Sequence, residues 1–380
     1  MRREPIIIAL AGGGSGGHLY PLLAVADELA RRSGGAVRLA YIAPPGLGVD
    51  EFRARKIDVH LILGSKFRRY FSLQNLVDIP KFILGLLQAL VVFYAVMPDA
   101  VFSKGGPGAL PVVLAARFYR IPVMIHESDA VPGLTNRLSA PFAARIGITF
   151  PFSARYFPSE RTALVGTPVR SGLRAERETS GGAKRALGFD PDVPLVLVLG
   201  GSQGAVRLNT FILENLAALL PAFQIYHQTG PANSAEVENS APTFLDQLPA
   251  ALHHRYRTAG FLDVGEMRRA LAAADVVFSR AGSSTITECA LFARPVLLVP
   301  LSGSAGDHQR RNAYAYAETG AATVVEEGNL TGHIVREELL RLIAIGQRPA
   351  DVAAAVQPFV RPAAAEVIAE ELLRLAKFPS

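Results

Sequence analysis

Short apolar runs alternate with stretches of helical periodicity along almost the whole chain. In the first half Ile6–Ala11, Val37–Ala43, Val59–Leu63, Ala100–Phe102, Val123–Ile125 and Ile146–Thr149 read as buried strands, being nearly continuous runs of Val, Ile, Leu and Ala. After the first of them, Tyr20–Arg32 sets Leu22, Val25, Ala26 and Leu29 at helical spacing. Strand–helix alternation predicts a parallel sheet with right-handed crossovers. The second half repeats the scheme with Leu195–Leu199, Gln224–His227, Val276–Phe278, Val296–Val299 and Ala322–Val325.

The halves echo each other in detail. Ala100–Phe102 runs into Ser103-Lys104-Gly105-Gly106, and Val276–Phe278 into Ser279-Arg280-Ala281-Gly282. Each is followed by a Pro-led strand, Ile121-Pro122-Val123 and Arg294-Pro295-Val296. The expectation is an α/β protein of two doubly wound domains. Their boundary should fall between Pro168 and Pro194, where residues 174–184 are polar, charged and glycine-containing. The stretch Pro362–Lys377 is helical in pattern and expected to pack back on the first domain.

Composition agrees with this picture. A chain of 380 residues exceeds one ordinary core, and 50% apolar with 19% charged residues excludes a disordered chain. The net charge of +6 favours anionic substrates or an anionic membrane surface. Lys and Arg are dispersed, however, and no nucleic-acid module is visible. The lone Cys289 excludes an internal disulfide and a cysteine metal site, consistent with a reducing compartment. The start of the chain lacks a signal-peptide cleavage pattern.

The most lipophilic stretch is Phe82–Met97, sixteen residues interrupted by Gln88 and preceded by Lys81. A spanning helix needs roughly 20 apolar residues, so this run reads first as a buried crossover helix. The alternative places its outer side on a membrane, with Arg68, Arg69, Tyr70 and Phe71 meeting lipid head groups. One face can pack inward while the loop meets lipid, so both readings can hold.

Two glycine-rich turns, Gly12–His18 and Gly200–Ala205, each end an apolar strand and open a helix. Glycines let backbone N–H groups close on an anion, and the following helix start adds partial positive charge. Gly12, Gly14 and Gly17 satisfy G-x-G-x-x-G, but the second strand ends Tyr41-Ile42-Ala43-Pro44-Pro45 without the carboxylate a dinucleotide ribose requires. Neither turn continues into Gly-Lys-Ser/Thr, so neither is a P-loop. His18, in the first turn of its helix, is either structural or a neutral general base. Arg280–Glu288 reads as a second anion site, with Ser283, Ser284 and Thr285 as donors and Glu288 able to accept ribose hydroxyls. The bland reading is a capped helix with a solvated Glu. Asp307–Asn312 could supply amide contacts to a sugar; Asp307 and His308 lack a third metal ligand nearby.

Together these motifs resemble glycosyltransferase family 28, specifically its N-acetylglucosaminyltransferases of peptidoglycan synthesis. The resemblance rests on Gly13–His18 with Pro21, Ser103–Gly106, His126–Asp129 with Pro132–Asn136, and Gly166–Arg170. It continues through Gly200–Ala205, Arg280–Glu288 and Asp307–Gln309 with Asn312-Ala313. It implies the GT-B architecture, two Rossmann-like domains facing across a cleft. Residues 1–168 would bind the acceptor and associate with the membrane, 169–361 would bind the UDP-sugar, and 362–380 would pack back on the first domain. The implied reaction is inverting transfer of GlcNAc from UDP-GlcNAc to the muramoyl 4-hydroxyl of undecaprenyl-linked lipid I, giving lipid II. No bound metal or cofactor is implied. The implied place is the cytoplasmic face of the cell membrane, peripherally held, with other cell-wall synthesis proteins as partners.

By this resemblance Ser15, Gly16, Gly17, Asp129, Arg170, Ser202, Leu262, Ser283, Ser284, Thr285, Glu288 and Gln309 would hold the donor. Gly14, His18, Gly105, Gly106 and Glu127 would meet the acceptor, with His18 as the base and Asp129 as its alternative. Three positions depart from the family pattern: Asp129 stands for the usual Asn, Pro107 for an aromatic, and Thr167 for Asn. A carboxylate accepts hydrogen bonds but cannot donate as an amide does, so Asp129 either changes the sugar contact or joins the base chemistry. Competing readings are a sister glycolipid glycosyltransferase, an inactive sugar-nucleotide-binding membrane scaffold, and a sugar-nucleotide epimerase of similar fold.

Overall fold

The structure is a computed structural model that describes residues 5–14, 16–46, 48–64, 74–174, 178–201 and 203–377. The chain divides into two compact units, residues 1–170 with 361–380, and residues 171–360.

The first unit is built on β1 (Ile7–Ala11), β2 (Arg38–Ala43), β3 (Asp58–Leu61), β4 (Ala100–Ser103), β5 (Val123–Glu127), β6 (Arg145–Ile148) and β7 (Thr162–Leu164). All pair in parallel, in the order β3-β2-β1-β4-β5-β6-β7. The main helices are α1 (Gly16–Arg32), α2 (Gln74–Val96), α3 (Ala109–Phe118) and α4 (Leu134–Ser139). One face of the sheet packs Ile8, Leu10 and Phe102 against Leu22, Val25 and Leu29 of α1, and against Ile368 and Leu372 of the C-terminal helix Ala364–Leu375. That helix is pinned to the first unit by Arg145 Nε to Glu371 at 2.8 Å.

The second unit comprises β8 (Leu195–Leu199), β9 (Gln224–Gln228), β10 (Tyr256–Ala259), β11 (Val276–Ser279), β12 (Val296–Leu298) and β13 (Ala322–Val324). These are again all parallel, in the order β10-β9-β8-β11-β12-β13. Its site is framed by α5 (Val206–Glu214), α6 (Ser234–Leu245), α7 (Ser283–Leu291) and α8 (His308–Ala317).

The strand orders superpose over six strands, β1 with β8 and β4 with β11, in keeping with the sequence echo, and β7 alone has no counterpart. Even the strand entries are built alike. Asp99, just before β4, accepts Ile7 N–H at 2.8 Å, and Asp275, just before β11, accepts Leu195 N–H at 2.7 Å. Lys184 completes the second clasp at 2.7 Å from Asp275. In each sheet the order reverses beside the first strand, and the loops leaving the carboxyl ends on either side of that point form a crevice for ligands.

The lipophilic run corrects the first reading made of it. It is the crossover between β3 and β4, but it is not buried. Ala89 and Phe93 face the core, Gln88 Oε1 accepts Leu63 N–H at 2.7 Å, and a Cβ on Gly85 would run into the Leu63 carbonyl. On the other side Ile83, Leu84, Leu87, Val91 and Tyr94 stand in water, Tyr94 at 75% exposure. Composition counts apolar residues but not the surfaces available to cover them, and only one face found a cover. Arg68, Arg69, Tyr70 and Phe71 lie outside the described residues.

Candidate functional site

In the first unit the loops after β1, β4 and β5 converge. Gly12 has φ +149°, and a side chain there would crowd Leu22 and Lys104, so the backbone can turn only as glycine. Tyr41 of β2, stacked on Phe52, donates its hydroxyl to Gly12 O at 2.8 Å and fixes the turn from below. The first N–H groups of the helix that starts at Gly16 and Gly17 have no partner within the helix itself. His18 lies in that first turn, against the second loop: a Cβ on Gly106 would sit 3.3 Å from His18 Cε1 and 3.4 Å from Nδ1. Gly14 approaches Pro107, and Gly105 approaches the Asn136 amide. Thus Gly14, Gly16, Gly17, His18, Gly105 and Gly106 form one cluster; Ser15 lies outside the described residues. Arg170 stacks on Tyr20 of α1 at 4.9 Å, and its Nε is buried with no hydrogen-bond partner among the described residues.

Glu127, read from the sequence as an acceptor contact, has another task. It is 4% exposed, Oε1 accepts Asp129 N–H at 2.9 Å, and Oε2 accepts Gly133 N–H and Asn136 Nδ2 at 3.0 Å each. Its carboxylate shapes its own loop and presents Asp129, which is half-buried at the loop surface. Burial, then Asp129, push the Glu127 carboxyl above the usual range, while Lys104 opposes. Lys104 itself escaped the sequence reading as a functional group. It is buried at the end of β4, and its ammonium donates to Ser128 Oγ. Burial holds it below its ordinary pKa, with Glu127 and Asp129 pulling it back up. Beneath lies His126, whose Nε2 meets Gly166 O at 2.7 Å; burial and then Lys104 push it down to about 3, so it stays neutral.

The second unit repeats the arrangement with other chemistry. The Gly200–Ala205 loop rests on the turn after β9, so closely that a Cβ on Gly204 (φ +77°) would collide with Thr229 O. Asn209 of α5 and Asn233 donate to that carbonyl at 2.9 and 3.1 Å, and His227 Nε2 holds Asn209 Oδ1 at 3.0 Å. Ser202 lies outside the described residues. At the start of α7, Ser283 is buried, Ser284 Oγ is buried without a partner among the described residues, and Thr285 and Glu288 follow on the half-buried face. Gln309 of α8 spends its carbonyl on Leu301 N–H at 3.0 Å, leaving its NH2 group. Leu262, after β10, is 1% exposed, so its side chain is covered and its backbone is what it offers a ligand.

One element of the second anion site is corrected. Arg280 is not turned to a ligand: its guanidinium is buried against Glu327, which also meets Arg207 at 2.9 Å, and it donates to Val299 O at 3.3 Å. It locks the end of β11 to β12. Asn312 is likewise buried, donating to Ala281 O at 3.5 Å, and so braces the α7 entry rather than meeting a sugar. Among the described residues no three His, Cys, Asp or Glu side chains gather as a metal site requires.

Two parallel doubly wound units, each with a glycine loop and a helix start at its switch point, have the architecture of the GT-B class of nucleotide-sugar glycosyltransferases. The glycosyltransferase family 28 N-terminal domain matches residues 8–148, and the family 28 C-terminal domain matches residues 195–368. The chain belongs to glycosyltransferase family 28. It is 34% identical over 379 residues to the UDP-N-acetylglucosamine--N-acetylmuramyl-(pentapeptide) pyrophosphoryl-undecaprenol N-acetylglucosamine transferase of Treponema pallidum (strain Nichols), covering 93% of this chain and 96% of that one. With the enzyme of the same name from Clostridium kluyveri it shares 36% identity over 338 residues, 88% of this chain and 90% of the other. Among solved structures, Acinetobacter baumannii MurG matches with a TM-score of 0.73 at 25% identity, over 97% of this chain and all of that one.

Proposed function

We propose that the chain transfers GlcNAc from UDP-GlcNAc to the muramoyl 4-hydroxyl of undecaprenyl-pyrophosphoryl-MurNAc-pentapeptide, giving lipid II. The carrying observation is end-to-end similarity to relatives named for that reaction, with both glycine crevices intact. The donor diphosphate rests on the Gly200–Ala205 loop and the α7 start, where Ser284 and Thr285 donate to it and Glu288 accepts the ribose hydroxyls. The Gln309 NH2 group meets the sugar. In the first unit, Gly14, Gly105 and Gly106 receive the acceptor, while Gly16, Gly17 and Arg170 serve the donor, Arg170 by adding positive charge for its diphosphate. His18, at the helix start, takes the proton of the 4-hydroxyl as that oxygen attacks the anomeric carbon; the bond to UDP breaks and its electron pair leaves with the β-phosphate. A single displacement inverts the anomeric centre.

The exposed face of α2 supports a peripheral position on the cytoplasmic side of the membrane, where the lipid-linked acceptor is held. Incubation with UDP-GlcNAc and a lipid I analogue is expected to yield the disaccharide lipid. Absence of transfer beside an active control enzyme overturns the proposal, and transfer only to another lipid moves it to a sister glycolipid enzyme.

A further inference from the structure

A buried carboxylate stands beside the donor crevice, where an anion works against the diphosphate unless it serves another end. Glu327 follows β13 and is 5% exposed. Its Oε1 accepts from the Arg280 guanidinium and its Oε2 from Arg207 Nη1 at 2.9 Å, with the Ser302 hydroxyl completing the set. These two arginines belong to the two anion sites. Arg207 lies in the first turn of α5, two residues after the Gly200–Ala205 loop, and Arg280 follows β11, three residues before Ser283 opens α7. The strands β8 and β11 are neighbours at the switch point, whereas β13 lies two strands from β11, across β12. Arg280 also donates to Val299 O at 3.3 Å and Pro300 O at 3.5 Å, just past β12, so its place is fixed. Arg207 is 68% exposed along its side chain, and its ion-pair partner among the described residues is Glu327.

We propose that Glu327 is a positioning residue for the donor: its two oxygens tie the start of α5 to the start of α7, so that both helix ends meet the same diphosphate. The proposal rests on reading this crevice as the donor site and deepens it. Each helix start supplies N–H groups and partial positive charge, but only a fixed separation lets one diphosphate use both. Two arginines at neighbouring strand ends repel one another, and a carboxylate between them turns that repulsion into a link. Glu326, the preceding residue, accepts from Arg310 Nε at 2.8 Å and from the Tyr314 hydroxyl at 3.0 Å. The helix α8, which carries Gln309, is thereby tied to the same turn.

Arg207→Met cuts the tether at its exposed end, where loss of the pair costs little stability. Amide exchange in the UDP-free, full-length protein reads both helix starts. The reporters are Asn209 N–H, bonded to Ala205 O at 2.9 Å in α5, and Ile286 N–H, bonded to Gly282 O at 3.0 Å in α7. Both should exchange about threefold faster or more, while Val277 N–H inside β11 stays within about twofold. The UDP dissociation constant by calorimetry should rise about fivefold or more. In Glu327→Gln it should rise about tenfold or more, and adding Arg207→Met to that variant should cost less than about twofold further. Faster exchange at Asn209 with Ile286 unmoved overturns the proposal. So does an equal cost of Arg207→Met in both backgrounds, which makes Arg207 a direct phosphate contact. Unchanged UDP affinity leaves Glu327 a purely structural clasp and also overturns it. Should Glu327→Gln fail to fold, exchange and UDP affinity in Arg207→Met decide alone. A wild type that binds no UDP refutes the donor reading and this proposal together, whereas UDP binding with uncoupled helix starts refutes this proposal only.

Discussion

Replacing Leu87 and Val91 together by glutamate should weaken membrane binding about a hundredfold or more while leaving the fold intact. Both lie on the solvent face of α2, 54% and 68% exposed. Fully burying a large apolar side chain is worth about 1.5–3 kcal/mol, so covering the roughly half of each that stands in water yields about 1 kcal/mol. Ile83, Leu84, Leu87, Val91 and Tyr94 together then contribute about 5 kcal/mol to resting on a bilayer, on the order of a thousandfold or more in partitioning. The double substitution removes about 2 kcal/mol of this and adds two charges that repel an anionic surface, so binding should drop by about a hundredfold or more. Because neither side chain packs inward, the melting temperature should move by no more than about 2 °C. The assay is co-sedimentation with phosphatidylglycerol-containing vesicles, run beside thermal unfolding and transfer to a short-chain, water-soluble acceptor. Undiminished vesicle binding refutes the membrane assignment; a large loss of stability refutes the claim that this face is unpartnered. Phe93→Ala, on the inner face of the same helix, is the contrast, and should cost about 3–5 kcal/mol of stability.

The interior strands were legible because burial on both faces leaves continuous apolar runs, and the two halves could be aligned before any coordinates. Two of the four edge strands were not. Thr162–Leu164 and Tyr256–Ala259 are short, carry polar residues, and are covered on few sides, so they lack the signal that marks β1 or β8. The glycine loops announced themselves, since positive φ and close backbone approach leave few alternatives to glycine. What stayed hidden were charges that turn inward. Nothing around Lys104 in the sequence marks it as buried, and only folding sets Ser128 against it. Arg280 opens the stretch read as an anion site, and only the fold shows Glu327, 47 positions on, taking its guanidinium. The acceptor reading of Glu127 gives no hint of the three donors, two from its own loop and one from Asn136 of α4, that its carboxylate accepts. Long-range pairing of this kind leaves no local pattern, whereas periodicity and turns do.

His18→Ala should lower kcat by about a hundredfold or more with UDP affinity within twofold, as loss of a general base requires; a parallel fall in affinity and melting temperature assigns His18 a structural role instead. Glu327→Gln should destabilise the second unit by about 3–5 kcal/mol, because Arg280 is left buried without its counter-ion. Burial pushes Glu327 upward, but Arg280 and Arg207 outweigh it and its pKa is lowered on folding. Its contribution is therefore full above the unfolded value near about 4.3 and fades as pH falls through the folded one, so the gap to Glu327→Gln in denaturant melts should narrow below about pH 4. Ser284→Ala separates stability from binding most cleanly. In the free protein the Ser284 hydroxyl is buried and has no partner among the described residues, so folding strips its water and returns nothing. Removing it should leave the melting temperature unchanged or raise it. If a donor phosphate oxygen accepts that hydroxyl at the start of α7, as proposed, the same change removes a charge-assisted bond of about 1.5–3 kcal/mol, and UDP affinity by calorimetry falls by about tenfold or more. A variant that loses stability but keeps its UDP affinity would place the phosphate elsewhere and make Ser284 part of the scaffold.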